Sequence, residues 1–163
     1  SSFATTKVKE LDQLKSAIDE AFTEAPEVLI ESFIDGIEVT CGCFKTEKGK
    51  TVLPLTEVVT QNEFFDYEAK YEGKVEEITP ARISSELTKE IQDQTSRIYD
   101  LVGAKGIVRA DYIISNNEPI LLEINTVPGM TETSFIPQQV EAANLCMTQV
   151  LTDIIEYEYK KVK

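Results

Sequence analysis

The sequence predicts an α+β fold in which a mainly antiparallel sheet is flanked by helices. Three observations carry that reading. Runs rich in β-branched residues follow one another across short polar turns, as at Ile107 to Ile114, Ser115-Asn116-Asn117 and Ile120 to Ile124. Segments with apolar residues at helical spacing stand before, between and after groups of strands rather than after every strand. The chain has 163 residues and 42% hydrophobic content. That suffices for one sizeable core, or for two small lobes that share an interface.

Taken in order, Ser1 to Thr6 reads as a small-residue loop. Leu11, Leu14, Ile18, Ala21, Phe22 and Ala25 then recur at helical spacing and predict an amphipathic helix that ends before Pro26. Val28 to Ile34 reads as a buried strand interrupted by Glu31. On the turn rule alone, Asp35-Gly36 predicts a tight hairpin into a second strand, Ile37 to Phe44. Lys48-Gly49 turns the chain into a third strand, Thr51 to Thr60. The loop Gln61 to Gly73, QNEFFDYEAKYEG, is too long and too aromatic for a plain connector. Its aromatic residues suit packing over a ligand, with Lys70 as a positive charge among acids, or equally an exposed protein-contact patch. A short strand, Val75 to Thr79, precedes a helix marked by Leu87, Ile91, Ile98, Leu101 and Val102 and stopped by Gly103. Beyond Pro137, Val140, Ala143, Val150, Leu151, Ile154 and Ile155 predict one last helix. It ends in Lys160, Lys161 and Lys163, where the helix dipole favours cations.

Composition excludes several classes of function. Lys plus Arg total 16 against 29 Asp plus Glu, a formal charge of −13. That argues against nucleic acid or an anionic membrane surface as the main partner. An anionic ligand would need local Lys, Arg or metal charge. There is no histidine, so zinc sites and Ser-His or Cys-His catalysis are disfavoured. Cys41, Cys43 and Cys146 have no CxxC spacing and read as small apolar residues in a reducing compartment. No apolar run reaches the length of a membrane span, and the chain reads as cytoplasmic. It opens abruptly at Ser1-Ser2-Phe3-Ala4, as expected of a piece of a longer protein.

The chemistry concentrates between Arg109 and Ser134. With the hairpin loop centred on Asn117, Asp111 faces Glu123 and Arg109 faces Asn125, and strand alternation puts all four side chains on one face. The opposite face, Val108, Ala110, Tyr112 and Ile114 with Ile120, Leu122 and Ile124, is apolar. Two carboxylates directly opposite each other repel and need a positive charge between them. A divalent cation fits, since Mg²⁺ usually takes one or two protein carboxylates and completes its shell with water and phosphate oxygens. The other reading is an ordinary polar face on which Arg109 neutralises Glu123. Pro128 and Gly129 then demand an irregular loop whose backbone N–H groups face a ligand.

At these residues a resemblance becomes visible. RADYII, LLEINT and VPGMT, in this order, resemble the C-terminal end of ATP-grasp enzymes, and LLEINTVPGMTETS looks like the D-alanine–D-alanine ligases among them. FFDYEAKY is similar to the motif that closes over ATP in those ligases, and Ser1-Ser2 match the serines of their GSSxG loop, with Ala4 in place of the second Gly. The similarity runs along nearly the whole chain. It implies an ATP-grasp architecture, with 1–34 a remnant of the central lobe and 35–163 the C-terminal lobe. It makes the Asp35-Gly36 region a hinge rather than a hairpin.

The resemblance also implies roles. Glu31 and the backbone of Ser32 and Ile34 would hydrogen-bond the adenine edge, and Glu38 would take the ribose hydroxyls, a carboxylate being able to accept two bonds at once. Ser32 departs from the Lys common there. Lys70 would contact the phosphates, and Tyr71 would complete a triad with Ser1 that holds the loop closed. Tyr71, in place of the Phe of depsipeptide-forming relatives, favours an amine acceptor. Asp111, Glu123 and Asn125 would hold Mg²⁺ or Mn²⁺. Arg109 and the N–H of Gly129 would stabilise a tetrahedral oxyanion, with Met130 and Thr131 shaping the loop. Ser134 would bind the carboxylate of the second D-alanine. The implied activity is ATP-dependent joining of two D-alanine molecules through an acyl phosphate, for peptidoglycan precursors. The full-length protein would be a homodimer, and this piece would be inactive alone. Two alternatives stand beside it: a nucleotide- or metal-binding module without catalysis, and a ligase with another acceptor such as D-lactate.

Overall fold

The computed structural model describes residues 4–60 and 75–162. They fall into two compact units: 4–34 with 60 and 75–76, and 35–59 with 77–162.

In the smaller unit a 3-10 turn, Leu11–Gln13, leads into helix α1, Leu14–Glu24. Gln13 Oε1 accepts from the N–H groups of Lys9 and Glu10, both at 3.2 Å. These bonds satisfy donors that a helix start otherwise leaves open. The backbone turns extended at Ala25, as the residue before Pro26 must. The strand expected over Val28 to Ile34 does not form. The segment is irregular, and Leu29 and Ile30 are 80% and 64% exposed. Strand propensity expresses packing against neighbouring strands, and no ladder partner for this run occurs among the described residues.

The elements that follow are β1 (Ile37–Thr46), β2 (Gly49–Val52), β3 (Thr56–Thr60), β4 (Val75–Ile78), α2 (Ser85–Leu101), β5 (Ile107–Ser115), β6 (Glu118–Asn125), α3 (Phe135–Ala142) and α4 (Met147–Lys161), all in the larger unit except the ends of β3 and β4 at 60 and 75–76. The sheet runs β4-β3-β1-β5-β6, with β2 also on β1. β1 pairs antiparallel with β2, β3 and β5, and β5 with β6. No Asp35-Gly36 hairpin occurs. Gly36 is required for a different reason: a Cβ there would lie 2.2 Å from the carbonyl oxygen of Ile114.

The single strand expected over Thr51 to Thr60 is two. β2 pairs with 43–46 and β3 with 38–40 on the same edge of β1. Between them the Leu53 N–H still reaches the Gly42 carbonyl at 2.8 Å, but Pro54 has no N–H to give the ladder and the strand is interrupted there. The single helix expected after Pro137 is also two. Asn144 takes φ 56°, a left-handed conformation that asparagine tolerates, and ends the α3 segment before α4. Pro137 itself sits in the first turn of α3, where a missing N–H removes no helical bond.

Alternation along β1 sorts the core. Val39, Cys41 and Cys43 pair with Tyr112, Ala110 and Val108 and point to the side covered by α2, where Leu87 and Ile91 join them. Ser84 caps α2 by accepting from the Leu87 N–H at 3.2 Å. On the other side, Phe44 and Ile107 pack under Ile136, Val140, Val150 and Ile154 of α3 and α4. The same side carries a polar group between Thr40 and the β5–β6 pair: Glu38, Thr40, Arg109, Asp111, Glu123 and Asn125. Among the described residues no helix is long and apolar enough to cross a membrane.

Candidate active site

The β5–β6 hairpin turns on Asn116 and Asn117, at φ 51° and 66°. This is the left-handed pair that a two-residue hairpin turn demands. The turn is one residue tighter than expected, so the first rungs pair Ser115 with Glu118, Ile113 with Ile120 and Tyr112 with Leu121. Continued unchanged, that register would set Asp111 against Leu122. A register shift between Asp111 and Tyr112 absorbs Leu122, after which Asp111 pairs with Glu123 and Arg109 with Asn125. The expected pairing therefore holds, but by way of a bulge. Two residues expected on the apolar side change place: Ile120 stands opposite Ile113, on the Arg109 side, and Leu122 is 46% exposed.

Arg109 is bound to its own strand rather than across it. Its Nε and Nη2 donate to the two carboxylate oxygens of Asp111, both at 2.7 Å, in the bidentate geometry that a planar fork favours. The ion pair thus joins Arg109 to Asp111, not to Glu123 as the polar-face reading had it. The guanidinium also lies 5.0 Å from the centroid of the Phe135 ring. Burial works against its charged form, but the Asp111 hydrogen bond, and then the charges of Asp111, Glu123 and Glu38, outweigh it and raise its pKa. Three acids thus share the field of one guanidinium.

The loop after β6 is held by its own side chains. Asn125 Oδ1 accepts from the Val127 N–H at 3.2 Å. Ser134 Oγ accepts from the Thr131 N–H at 3.2 Å and lies 2.8 Å from Thr131 Oγ1. Ser134 is the N-cap of α3, yet makes no side-chain cap bond, its hydroxyl being used on Thr131. A Cβ on Gly129 would come within 2.7 Å of Ser134 Oγ. Glycine therefore lets the loop backbone lie against that hydroxyl.

One residue the sequence reading missed is Gln139, fully buried on α3. Its Oε1 accepts from the Gly42 N–H at 2.8 Å. Its Nε2 donates to the Thr40 carbonyl at 3.0 Å, to Thr40 Oγ1 at 3.3 Å and to Thr56 Oγ1 at 3.1 Å. The amide fills the break in the ladder that Pro54 creates. Its sequence signal is weak: a polar residue at helical spacing between Ile136 and Ala143.

Asp111, Glu123 and the amide of Asn125 offer hard oxygen donors on one face, a set that fits Mg²⁺ completing its shell with water and phosphate. No group of three or more His, Cys, Asp or Glu side chains converges among the described residues, so a fully protein-made cage is not what these residues build. Glu31 and Ser32 are exposed and Ile34 half-buried, in the smaller unit. Glu38 belongs to β1. Ser1, Lys70 and Tyr71 lie outside the described residues.

Residues 1–156 match the family model for the D-ala D-ala ligase C-terminus. The D-alanine–D-alanine ligase of Parabacteroides distasonis is 65% identical over 164 aligned positions, covering 100% of this chain and 50% of that protein. The corresponding ligase of Bacteroides fragilis is 62% identical, over 98% of this chain and 49% of its own length. Among solved structures, the VanG D-Ala:D-Ser ligase from Enterococcus faecalis has a TM-score of 0.85 at 35% identity, over 96% of this chain and 46% of that one. The D-alanine–D-alanine ligase from Bacillus anthracis complexed with ATP has a TM-score of 0.78 at 30% identity, over 94% and 49%. The chain thus spans about half the length of the curated relatives it matches, and the expected α+β ATP-grasp architecture is the one it has.

Proposed function

The chain belongs to the D-alanine–D-alanine ligase family, and we propose that it forms the metal- and acceptor-binding half of an ATP-dependent enzyme joining two D-alanine molecules. The observation that carries this reading is the pairing of Asp111 with Glu123 and of Arg109 with Asn125 on one sheet face, together with a loop in which Gly129 is pressed against Ser134.

The chemistry requires a carboxylate to become attackable by an amine. ATP would supply a phosphoryl group to the first D-alanine, giving an acyl phosphate, and Mg²⁺ would neutralise the phosphate charge. Asp111, Glu123 and Asn125 would hold the ion. Glu38 would accept from the ribose hydroxyls, and Glu31 with the backbone of Ser32 and Ile34 would read the adenine. Lys70 would add a cation at the phosphates, with Ser1 and Tyr71 holding the loop closed. Attack by the second amine builds an oxyanion, which the Arg109 guanidinium and the Gly129 N–H are suited to stabilise. The acid-rich field that keeps Arg109 protonated supports that role. Ser134 would bind the acceptor's carboxylate. We place the reaction in the cytoplasm, on the route to peptidoglycan, with the full-length protein a homodimer.

The test is turnover by the full-length protein with ATP, Mg²⁺ and D-alanine, read as dipeptide, ADP and phosphate. ATP binding without dipeptide would favour a non-catalytic module instead. Parallel acceptors, D-serine and D-lactate, decide the acceptor class, D-serine being included because the VanG relative is a D-Ala:D-Ser ligase. The 163-residue chain alone is expected to give no turnover.

A further inference from the structure

α3 carries the proposed acceptor cradle at its N-terminus, and the oxyanion group Arg109 lies on β5. Two contacts on α3, four residues apart and hence on one helix face, tie them together. Phe135, in the first turn, sits against the Arg109 guanidinium. Gln139 grips β1 at Gly42 and Thr40, and these are the residues paired with Arg109 and Asp111 in the sheet. Helix, β1 and β5 therefore form a closed circuit. Any shift of α3 along the sheet must break the Gln139 bonds or move Phe135 off Arg109.

The space at this point is made for the amide. A Cβ at Gly42 would come within 2.7 Å of Ile136 Cδ1 and 2.8 Å of Gln139 Oε1. No buried side-chain polar atom lacks a partner among the described residues, so the network is satisfied as it stands. A fully satisfied buried network specifies one arrangement, whereas a partly satisfied one does not. An aliphatic side chain would fill the same volume but leave the Gly42 N–H without this acceptor.

We propose that Gln139 is a positioning residue for the acceptor site: its amide fixes the register of α3 on the sheet, and so the placement of Ser134 and Gly129 relative to Arg109. This inference rests on the ligase reading above. It predicts an effect on the acceptor step separate from nucleotide binding, because none of the nucleotide-side residues is on α3: Glu31, Ser32 and Ile34 precede the sheet, and Glu38, Asp111, Glu123 and Asn125 are held by the β1–β5–β6 ladder itself.

The experiment uses the full-length protein, with steady-state kinetics for D-alanine and for ATP measured well below each variant's Tm and normalised to folded protein. Gln139→Leu is expected to raise the KM for the acceptor D-alanine about tenfold or more and to lower kcat, with the KM for ATP within about twofold of wild type. Gln139→Glu keeps the acceptor for Gly42 and loses the donor, and should fall between. Thr56→Val removes one of the four bonds, together with the Thr56–Thr79 hydroxyl bond, so it serves if the Gln139 variants do not fold; it should shift the acceptor KM in the same direction by a smaller factor. A lower Tm with wild-type constants per folded molecule, or equal changes in both KM values, would overturn the proposal. A wild type that makes no dipeptide would overturn the ligase reading and this inference with it; an active wild type with unaffected variants overturns this inference alone.

Discussion

Asp111 stands directly opposite Glu123 across the β5–β6 hairpin, and Arg109, two residues before it on the same strand, grips it through two 2.7 Å bonds. One carboxylate of the pair is therefore oriented by the guanidinium, while the other faces solvent. An arrangement of this kind leaves Glu123 as the group through which an incoming cation would first be felt.

Glu123→Gln in the full-length protein removes one charge and keeps the shape. Mg²⁺-dependent nucleotide binding should weaken, and turnover should fall on the order of 10² to 10³-fold, the several kcal/mol a metal contributes to phosphoryl transfer. Titration of turnover against Mg²⁺ checks this. Unchanged Mg²⁺ dependence removes Glu123 from the metal site.

Arg109→Lys keeps the charge but cannot reproduce the two-pronged grip on Asp111 or the face-on contact with Phe135. Turnover is expected to drop on the order of 10²-fold while Tm moves little. Comparison of kcat with thermal melts separates the two, and equal turnover would show that the fork geometry has no part in the chemistry.

The Glu57 carboxylate receives the Arg82 side chain at 2.9 and 2.8 Å and its backbone N–H at 3.1 Å. These bonds, the side-chain ones foremost, outweigh burial and hold its pKa below the ordinary glutamate range. A folded-state pKa below the unfolded one, about 4.3, gives stability that is present above that pH and lost progressively as pH falls from there through the lower folded-state value. Arg82 is 60% exposed, so its share is under about 1 kcal/mol. Arg82→Met should flatten the acid side of the Tm–pH curve, and an unchanged acid slope would count against the pair.

Burial pushes the thiols of Cys41 and Cys43 up to about 12, so at pH 8 only about 10⁻⁴ of either is the reactive thiolate. Cys146 is exposed. Within residues 1–163, iodoacetamide at pH 8 should modify Cys146 alone in the native protein and all three cysteines after unfolding, as read by peptide mapping. A second adduct under native conditions would show that the α2 side of the sheet opens.

What the sequence made legible was whatever local chemistry decides. A hairpin turn at Ser115-Asn116-Asn117, the period-2 pattern of β5 and β6 and the stop at Gly103 could be read directly; the Asp111–Glu123 pairing was expected too, but from a looser turn than the one that forms. What it hid depended on partners. Val28 to Ile34 has strand composition, but an isolated run has no ladder. Pro54 could be seen, yet not that the edge of β1 would use the residues on both sides of it. Gln139 looked like one polar residue on an apolar stripe, because the Gly42 N–H that calls for it lies 97 positions away. The bulge at Leu122 was invisible because two errors cancelled: a turn one residue tighter than expected, and one extra residue in β6.

That extra residue makes the hairpin behave like a ruler in two pieces. On the Asn116-Asn117 side of Leu122, the exposed tip at 116–118 lies beyond the last rung that β5 shares with β1, so this is where the fold should accept foreign sequence. On the other side, losing Ile124 would carry Asn125 onto the apolar side, away from its place opposite Arg109, and leave the polar face one amide short.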